Sequence, residues 1–183
     1  MNQPVLSICI PTYNRAEYLE KALKAYTSNV AFDDEIEIVI SDNASTDNTE
    51  KLCRYYASRY ANIKYFRNEV NLNDSNFSLA LERASGLYVK LMNDNLIILD
   101  DGLEYLKRII KNNLEERIPF FFTNGALFNH NQAEEVSCDN FEEFVVRVSY
   151  VVTAIMVFGA WKDDWDQVRN RSRYTKTIIA VTT

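Results

Sequence analysis

The sequence predicts a three-layer α/β/α domain on a mostly parallel sheet, and three observations lead there. Short apolar runs rich in β-branched residues are continuous rather than alternating, as in strands covered on both faces. Each is followed by a stretch whose apolar residues repeat at helical spacing. This alternation fills the first 125 residues, with no internal repeat, low-complexity tract or Pro/Gly-rich linker to divide it. A helix between consecutive strands returns the chain in the same direction, so the strands pair in parallel through right-handed crossovers. At 183 residues the chain suffices for one domain.

The elements follow in order. Val5 to Ile10 forms the first strand, which Pro11 stops. Asn14 caps the next helix with Glu17 three places on, and Tyr18, Leu19, Ala22, Leu23 and Tyr26 share its inner face. Ile36 to Ile40 is the second strand, running into Ser41-Asp42-Asn43. Asp47 and Glu50 open a second helix that buries Leu52, Tyr56 and Tyr60, and Ile63 to Phe66 is the third strand. A polar turn, Asn71 to Asn76, leads to a short helix through Ala84. Gly86 supplies a left-handed C-cap before a fourth strand, Leu87 to Met92. After Asn93-Asp94-Asn95, Asp100 or Asp101 caps a helix whose Leu103, Leu106, Ile109 and Ile110 face inward, and Pro119 to Thr123 is a fifth strand. Beyond Gly125 the pattern thins: Phe141 to Val152 and Lys162 to Arg169 read as helices, Ala154 to Phe158 and Ile178 to Val181 as strands.

Composition removes several function classes. Apolar residues at 47% and aromatics at 13% exclude a disordered chain. Twenty Lys and Arg against 26 Asp and Glu give a net charge of -6, so no general basic surface exists for nucleic acid. Cys9, Cys53 and Cys138 lie far apart without a CxxC pair, which fits a reducing, cytoplasmic setting better than a zinc knuckle or disulfide framework. The lone His130 sits in a polar stretch that reads as a solvated loop. There is no signal-peptide pattern, and the longest weakly polar run, Val148 to Trp161, is shorter than the roughly 18 residues of a membrane span.

Chemistry is expected at the strand ends, because open parallel sheets bind ligands beyond the carboxyl ends of their strands, where the strand order reverses. Three polar ends stand out: Pro11-Thr12-Tyr13-Asn14, Ser41-Asp42-Asn43 and Asn93-Asp94-Asn95. Neither GxGxxG nor GxxxxGK[ST] occurs, which disfavours dinucleotide and P-loop versions of the architecture. Asp42 accepts hydrogen bonds only, so in a nucleotide pocket it selects a base with a ring N–H, uracil or thymine, over cytosine; it suits an Asx-turn equally well. Asp94 is a candidate oxygen ligand for Mg2+ or Mn2+ held largely through substrate phosphates, with a turn-forming role as the alternative. Tyr13 is placed to stack on a base, unless it joins the many aromatics of the core.

The segments LSICIPTYNRAEYLEKAL, EIVISDNASTDNTEKL and ASGLYVKLMNDN resemble, in order and at matching spacing over about residues 4 to 110, the nucleotide-binding half of family 2 glycosyltransferases. NLNDSNFSLALERASGLYV is most similar to members that build bacterial O-antigen and other surface polysaccharides, the abequosyltransferase-like enzymes among them. The resemblance implies the nucleotide-diphospho-sugar transferase (glycosyltransferase A-type) fold, shortened on its C-terminal side. Residues 1–183 are then one domain, with a nucleotide-sugar-binding half to about residue 125 and part of an acceptor-side half over 126–183. It also implies roles. Pro11, Thr12 and Tyr13 frame the base, Asp42 reads the uracil ring nitrogen with Asn43 beside it, and Asp74 and Asn76 lie near the donor sugar or diphosphate. Asn93 approaches the ribose and Asp94 the metal.

Two departures from the family pattern qualify these roles. Asn93 and Asn95 are neutral where acidic residues usually stand, which weakens the hold on a divalent cation. The usual Asn-x-Gly turn reads Asn71-Leu72-Asn73, without the glycine that eases close backbone approach. The expected activity is inverting transfer of a sugar from a nucleotide diphosphate, UDP or dTDP favoured, to a hydroxyl of a surface-polysaccharide or lipid-linked acceptor. No general base is assigned, since Asp163, Asp164 and Asp166 read as the solvated face of a helix. The competing reading is a truncated or degenerate module that holds nucleotide sugar without turnover, and a third is a ligand-free structural domain. Peripheral contact with the inner face of the membrane and a homodimer stay open, the aromatics from Tyr150 to Trp161 serving either docking or the core.

Overall fold

The first four expected strands are present in a computed structural model that describes residues 3–98, 101–117 and 159–171. In chain order these residues form β1 (Leu6–Thr12), α1 (Ala16–Ser28), β2 (Ile36–Asp42), α2 (Thr49–Arg59), β3 (Ile63–Arg67), α3 (Ser75–Glu82), β4 (Tyr88–Leu91), α4 (Gly102–Asn112), β5 (Gly159–Trp161) and α5 (Lys162–Arg171). The described strands make one sheet in the order β3-β2-β1-β4-β5, parallel except for β5, which runs antiparallel to β4. His130, Cys138, the fifth strand expected at Pro119 to Thr123, and the elements expected at Phe141 to Val152, Ala154 to Phe158 and Ile178 to Val181 lie outside the described residues.

Continuous apolar strands produce three layers because successive side chains point to opposite faces. Leu6, Ile8 and Ile10 of β1 and Ile36, Ile38 and Ile40 of β2 are fully buried against Leu19 and Leu23 of α1, Cys53 of α2 and Leu103 and Ile110 of α4. Cys9, Val39, Val89 and Leu91 face the other way, against Ala80 and Leu81 of α3 and Trp165 of α5. Each such isoleucine or leucine contributes about 1.5–3 kcal/mol by leaving water. Trp161 belongs to the core, only 4% exposed, and meets Tyr88 edge-on at 5.4 Å. Cys9 and Cys53 are buried free thiols, raised above their usual pKa chiefly by burial.

Asp101 precedes α4 without a side-chain capping bond, Asp100 lying outside the described residues, and four further expectations are corrected. Pro11 does not stop β1, which continues to Thr12. Residues 9 and 11 direct their backbone groups to the same side, toward β4, where Cys9 O accepts from Met92 N at 2.9 Å. The β4 ladder ends at Cys9↔Leu91, so the N–H that proline lacks has no partner to lose. Tyr18 is 50% exposed, outside the buried stripe of Leu19, Ala22, Leu23 and Tyr26. Asn14 does not cap α1 from its own chain start. It takes a left-handed φ of 53°, and its Oδ1 accepts from the amides of Thr46 and Asp47, while Asp47 Oδ2 accepts from Ala16 N at 3.2 Å. The loops after β1 and β2 thus cap each other.

Gly86 is the fourth correction. Its backbone is not left-handed, and α3 has already ended at Glu82. The glycine is required by proximity: a Cβ there would lie 2.6 Å from Ser7 Oγ and 2.9 Å from Ser7 N. Gly86 N donates to Ser7 Oγ, Ser7 Oγ donates to Glu37 Oε2 at 2.6 Å, and the other Glu37 oxygen accepts from Ser85 Oγ at 2.7 Å. Without this network the buried Glu37 carboxylate would lie unsolvated within a sheet face.

Lys90, 4% exposed on β4, carries a pH signature. Burial lowers its ammonium from the usual 10.5 to about 8. Between these values the unfolded chain binds more protons than the folded one, so Lys90's contribution to stability rises with pH across that window, by roughly 3 kcal/mol in all. The raised thiols and the raised Tyr26 and Tyr65 phenols act oppositely at the upper end, so the comparison must be with Lys90→Met. In urea titrations the stability of the parent relative to this variant is expected to climb from pH 8 to 10.5; a constant difference would show that Lys90 titrates normally.

Candidate functional site

The strand order reverses beside β1, since β2 and β3 extend the sheet one way and β4 and β5 the other. Such a reversal leaves a crevice beyond the carboxyl ends of the strands. The three polar strand ends meet there. Thr12 and Asp42 are register partners, and Thr12 Oγ1 donates to Asp94 Oδ2 at 2.9 Å. Pro11 is half-buried, and Tyr13 stands 44% exposed on the rim rather than in the core.

Asp42 is fully buried, and both its oxygens are engaged. Oδ1 accepts from Ser45 N at 2.9 Å, which is the Asx-turn, and Oδ2 accepts from the Tyr65 hydroxyl at 2.7 Å. Arg67 Nε lies 3.7 Å from Oδ2 and 3.2 Å from Glu50 Oε2. Burial pushes the Tyr65 phenol upward, reinforced by the hydrogen bond to Asp42 and its charge. Tyr65 and Arg67 project from β3, the outermost strand on this side among the described residues, one face of which thereby closes over the carboxylate.

Asn43 and Asn76 are buried in an amide network beside the rim. Asn43 Nδ2 donates to Asn71 Oδ1 at 2.7 Å, and its Oδ1 accepts from Leu72 N and Asn68 Nδ2. Asn76 Oδ1 accepts from Ser41 Oγ and Asn68 Nδ2, and its Nδ2 donates to Ser41 O. Arg83 completes the network, donating to Ser41 Oγ and Asn68 Oδ1. These side chains fasten the 71–76 loop to β2. Asn73, standing where the family pattern has glycine, adopts a φ of 50°, a conformation asparagine tolerates better than most residues. Asp74 is exposed before α3 and makes no capping bond.

Asp94 is 5% exposed, with Asn93 half-buried and Asn95 exposed beside it. Its second oxygen, Oδ1, lies 2.8 Å from Arg15 Nε. Burial raises this carboxyl above its usual value against the opposing pull of Thr12 and Arg15. Among the described residues no group of three or more His, Cys, Asp or Glu side chains is placed to hold a metal ion. Among those residues a divalent cation would have to rely on a single carboxylate, Asp94, whose oxygens already serve a hydroxyl and a guanidinium. These residues do not make a metal site as they stand.

Sequence reasoning missed Arg15, Tyr65, Arg67 and Asn68. Arg15 follows directly on a polar strand end, and Tyr65 and Arg67 alternate with Phe66 at the end of β3, a period-2 signal that was legible. Asp163 and Asp164 are exposed on α5 and lie 3.4 and 3.6 Å from the Arg117 guanidinium.

A mostly parallel, helix-flanked sheet with polar strand ends gathered at its order reversal fits the A-type glycosyltransferase architecture. The chain belongs to Glycosyl transferase family 2, whose model matches residues 7–132, more than half of its length. It is 42% identical over 105 residues to the abequosyltransferase RfbV of Salmonella typhimurium, an alignment covering 56% of this chain and 32% of that protein. It is 36% identical over 108 residues to the GalNAc(5)-diNAcBac-PP-undecaprenol beta-1,3-glucosyltransferase of Campylobacter jejuni, covering 56% and 33% respectively. Among solved structures it resembles S. aureus TarS 1-349 in complex with UDP-GlcNAc, with 26% identity and a TM-score of 0.54 over 60% of this chain and 32% of that one. The chain spans about a third of the length of these relatives. Among the described residues no helix is long and apolar enough to cross a membrane.

Proposed function

We propose that this domain binds a nucleotide-diphosphate sugar, UDP- or dTDP-linked, at the crevice beside β1. The sugar then passes, with inversion, to a hydroxyl of a surface polysaccharide or lipid-linked glycan. The observation that carries this reading is the convergence of Thr12, Asp42 and Asp94 at the strand-order reversal. The names of the relatives support the substrate classes: one is an abequosyltransferase, another acts on an undecaprenol-linked glycan, and TarS was solved with UDP-GlcNAc. Residues 1–125 would supply the donor half and 126–183 part of the acceptor side. The domain would work in the cytoplasm at the inner face of the membrane, where two buried free thiols stay reduced.

In this reading the exposed Tyr13 ring stacks on the base above Pro11. The Asp42 carboxylate accepts the base N–H once the Tyr65 hydroxyl yields its place, with Asn43 holding the neighbouring loop. Asp74 and Asn93 face the sugar and ribose side, while Asn76 keeps that side fixed to β2. The acceptor oxygen bonds to the anomeric carbon as the bond to the phosphate oxygen breaks; its electron pair leaves with the diphosphate and the hydroxyl proton passes to a base. A second reading, donor binding without turnover, is favoured by the neutral Asn93 and Asn95.

Thermal shift with UDP, dTDP, GDP and CDP tests the site. At 100 times its dissociation constant a nucleotide adds about 2.7 kcal/mol, and UDP and dTDP should shift the transition more than CDP. Failure of every nucleotide would overturn both readings. A shift without slow donor hydrolysis would select the second.

A further inference from the structure

Arg15 follows the polar end of β1 and holds Asp94, the carboxylate that the resemblance assigns to metal. Its Nε is 2.8 Å from Asp94 Oδ1, while the other Asp94 oxygen accepts from Thr12. The guanidinium is steadied from a second side by Tyr18, whose ring centroid lies 4.5 Å from Cζ. The Arg15 side chain is nevertheless 42% exposed, against 7% for Asp94, so the pair presents its positive partner to solvent. Only one of the five guanidinium N–H groups is used by the contact at Nε, which leaves donors for the paired oxygens of a phosphate. Arg15 also precedes the first turn of α1, the positive end of a helix.

Resting on the donor-site reading above, we propose that Arg15 binds the donor diphosphate in the place of a divalent cation, with Asp94 and Tyr18 as its positioning residues. Asp94 then serves as an anchor for a fixed cation rather than as a ligand for a mobile one. The neutral Asn93 and Asn95 follow from this arrangement, because an acidic neighbour would draw the guanidinium away from the phosphates. Donor binding is therefore independent of metal.

The test is calorimetric titration of the 183-residue chain with UDP and with uridine, in EDTA and in MnCl2, with dTDP, GDP and CDP in parallel. The parent should bind UDP about equally in both buffers. Arg15→Gln should weaken UDP by about tenfold or more in EDTA while leaving uridine unchanged. Mn2+ should restore much of the loss, since Asp94 Oδ1 is then freed of the guanidinium. A parent that needs Mn2+, with UDP affinity in Arg15→Gln unaltered, overturns the role of Arg15 and leaves the donor site standing. Equal losses for UDP and uridine overturn it too, by assigning Arg15 to the shape of the rim. No binding of any nucleotide by the parent removes the donor site itself. Where Arg15→Gln fails to fold, the parent alone decides: UDP affinity about equal in EDTA and MnCl2 is expected, and a rise of about tenfold or more with Mn2+ would overturn the proposal.

Discussion

Asp42→Ala is expected to lower stability by about 4 kcal/mol, because it strips the partner from a buried amide and leaves two further groups facing an empty site. Ser45 N and the Tyr65 hydroxyl lose their acceptor, and Arg67 keeps Glu50 and the Ser45 carbonyl. At this chain length the melting temperature should fall by about 10 °C. Asp42→Asn keeps the shape and one acceptor oxygen, so roughly half that loss is expected. Differential scanning calorimetry of the two variants provides the comparison, and a fall of under 1 kcal/mol in the alanine variant would show that the closed arrangement around Asp42 contributes little. Titration of whatever Asp42→Ala remains folded at low temperature tests recognition separately. If this variant kept the parent's preference for UDP over CDP, Asp42 would not be the reader of the base.

Gly86→Ala should cost about 3 kcal/mol, through overpacking. The added methyl meets Ser7 Oγ at 2.6 Å, Ser7 N at 2.9 Å and the Leu6 carbonyl carbon at 3.1 Å, and two of these atoms are backbone of the central strand. Relief requires moving residues 85 and 86, with β4, away from β1, which pulls Ser85 off the buried Glu37 carboxylate and Gly86 N off Ser7 Oγ. Chemical denaturation will measure the loss. An alanine variant of parent stability would show that the approach of residue 86 to β1 is not as close as described.

Much of the architecture was legible because it is local. The β-branched runs at Leu6, Ile36 and Ile63 and the helical stripes of Leu19 and Leu103 each declare themselves within a dozen residues. The rim was legible for the same reason: three polar strand ends need only the parallel-sheet rule to be brought together. What escaped depends on partners remote in sequence. Pro11 is tolerated because of where the β4 ladder stops, and Gly86 is fixed by Ser7, 79 residues away. Asn14 looked like an ordinary cap until the loop after β2 claimed it. Arg15 and Asp94 are likewise joined only by the crossover that sets β4 beside β1. The antiparallel β5 follows a stretch without strong periodicity, and three residues carry too little pattern to announce a strand.

The mutual capping of the loops after β1 and β2 has a bearing on chimaeras. Asn14 serves Thr46 and Asp47, and Asp47 serves Ala16. A graft that exchanges one of these loops with a relative's severs both halves of the exchange at once, whereas transplanting the two together preserves it. Recombination among homologues should accordingly tolerate crossovers before residue 11 or after residue 49 far better than any falling in the intervening segment.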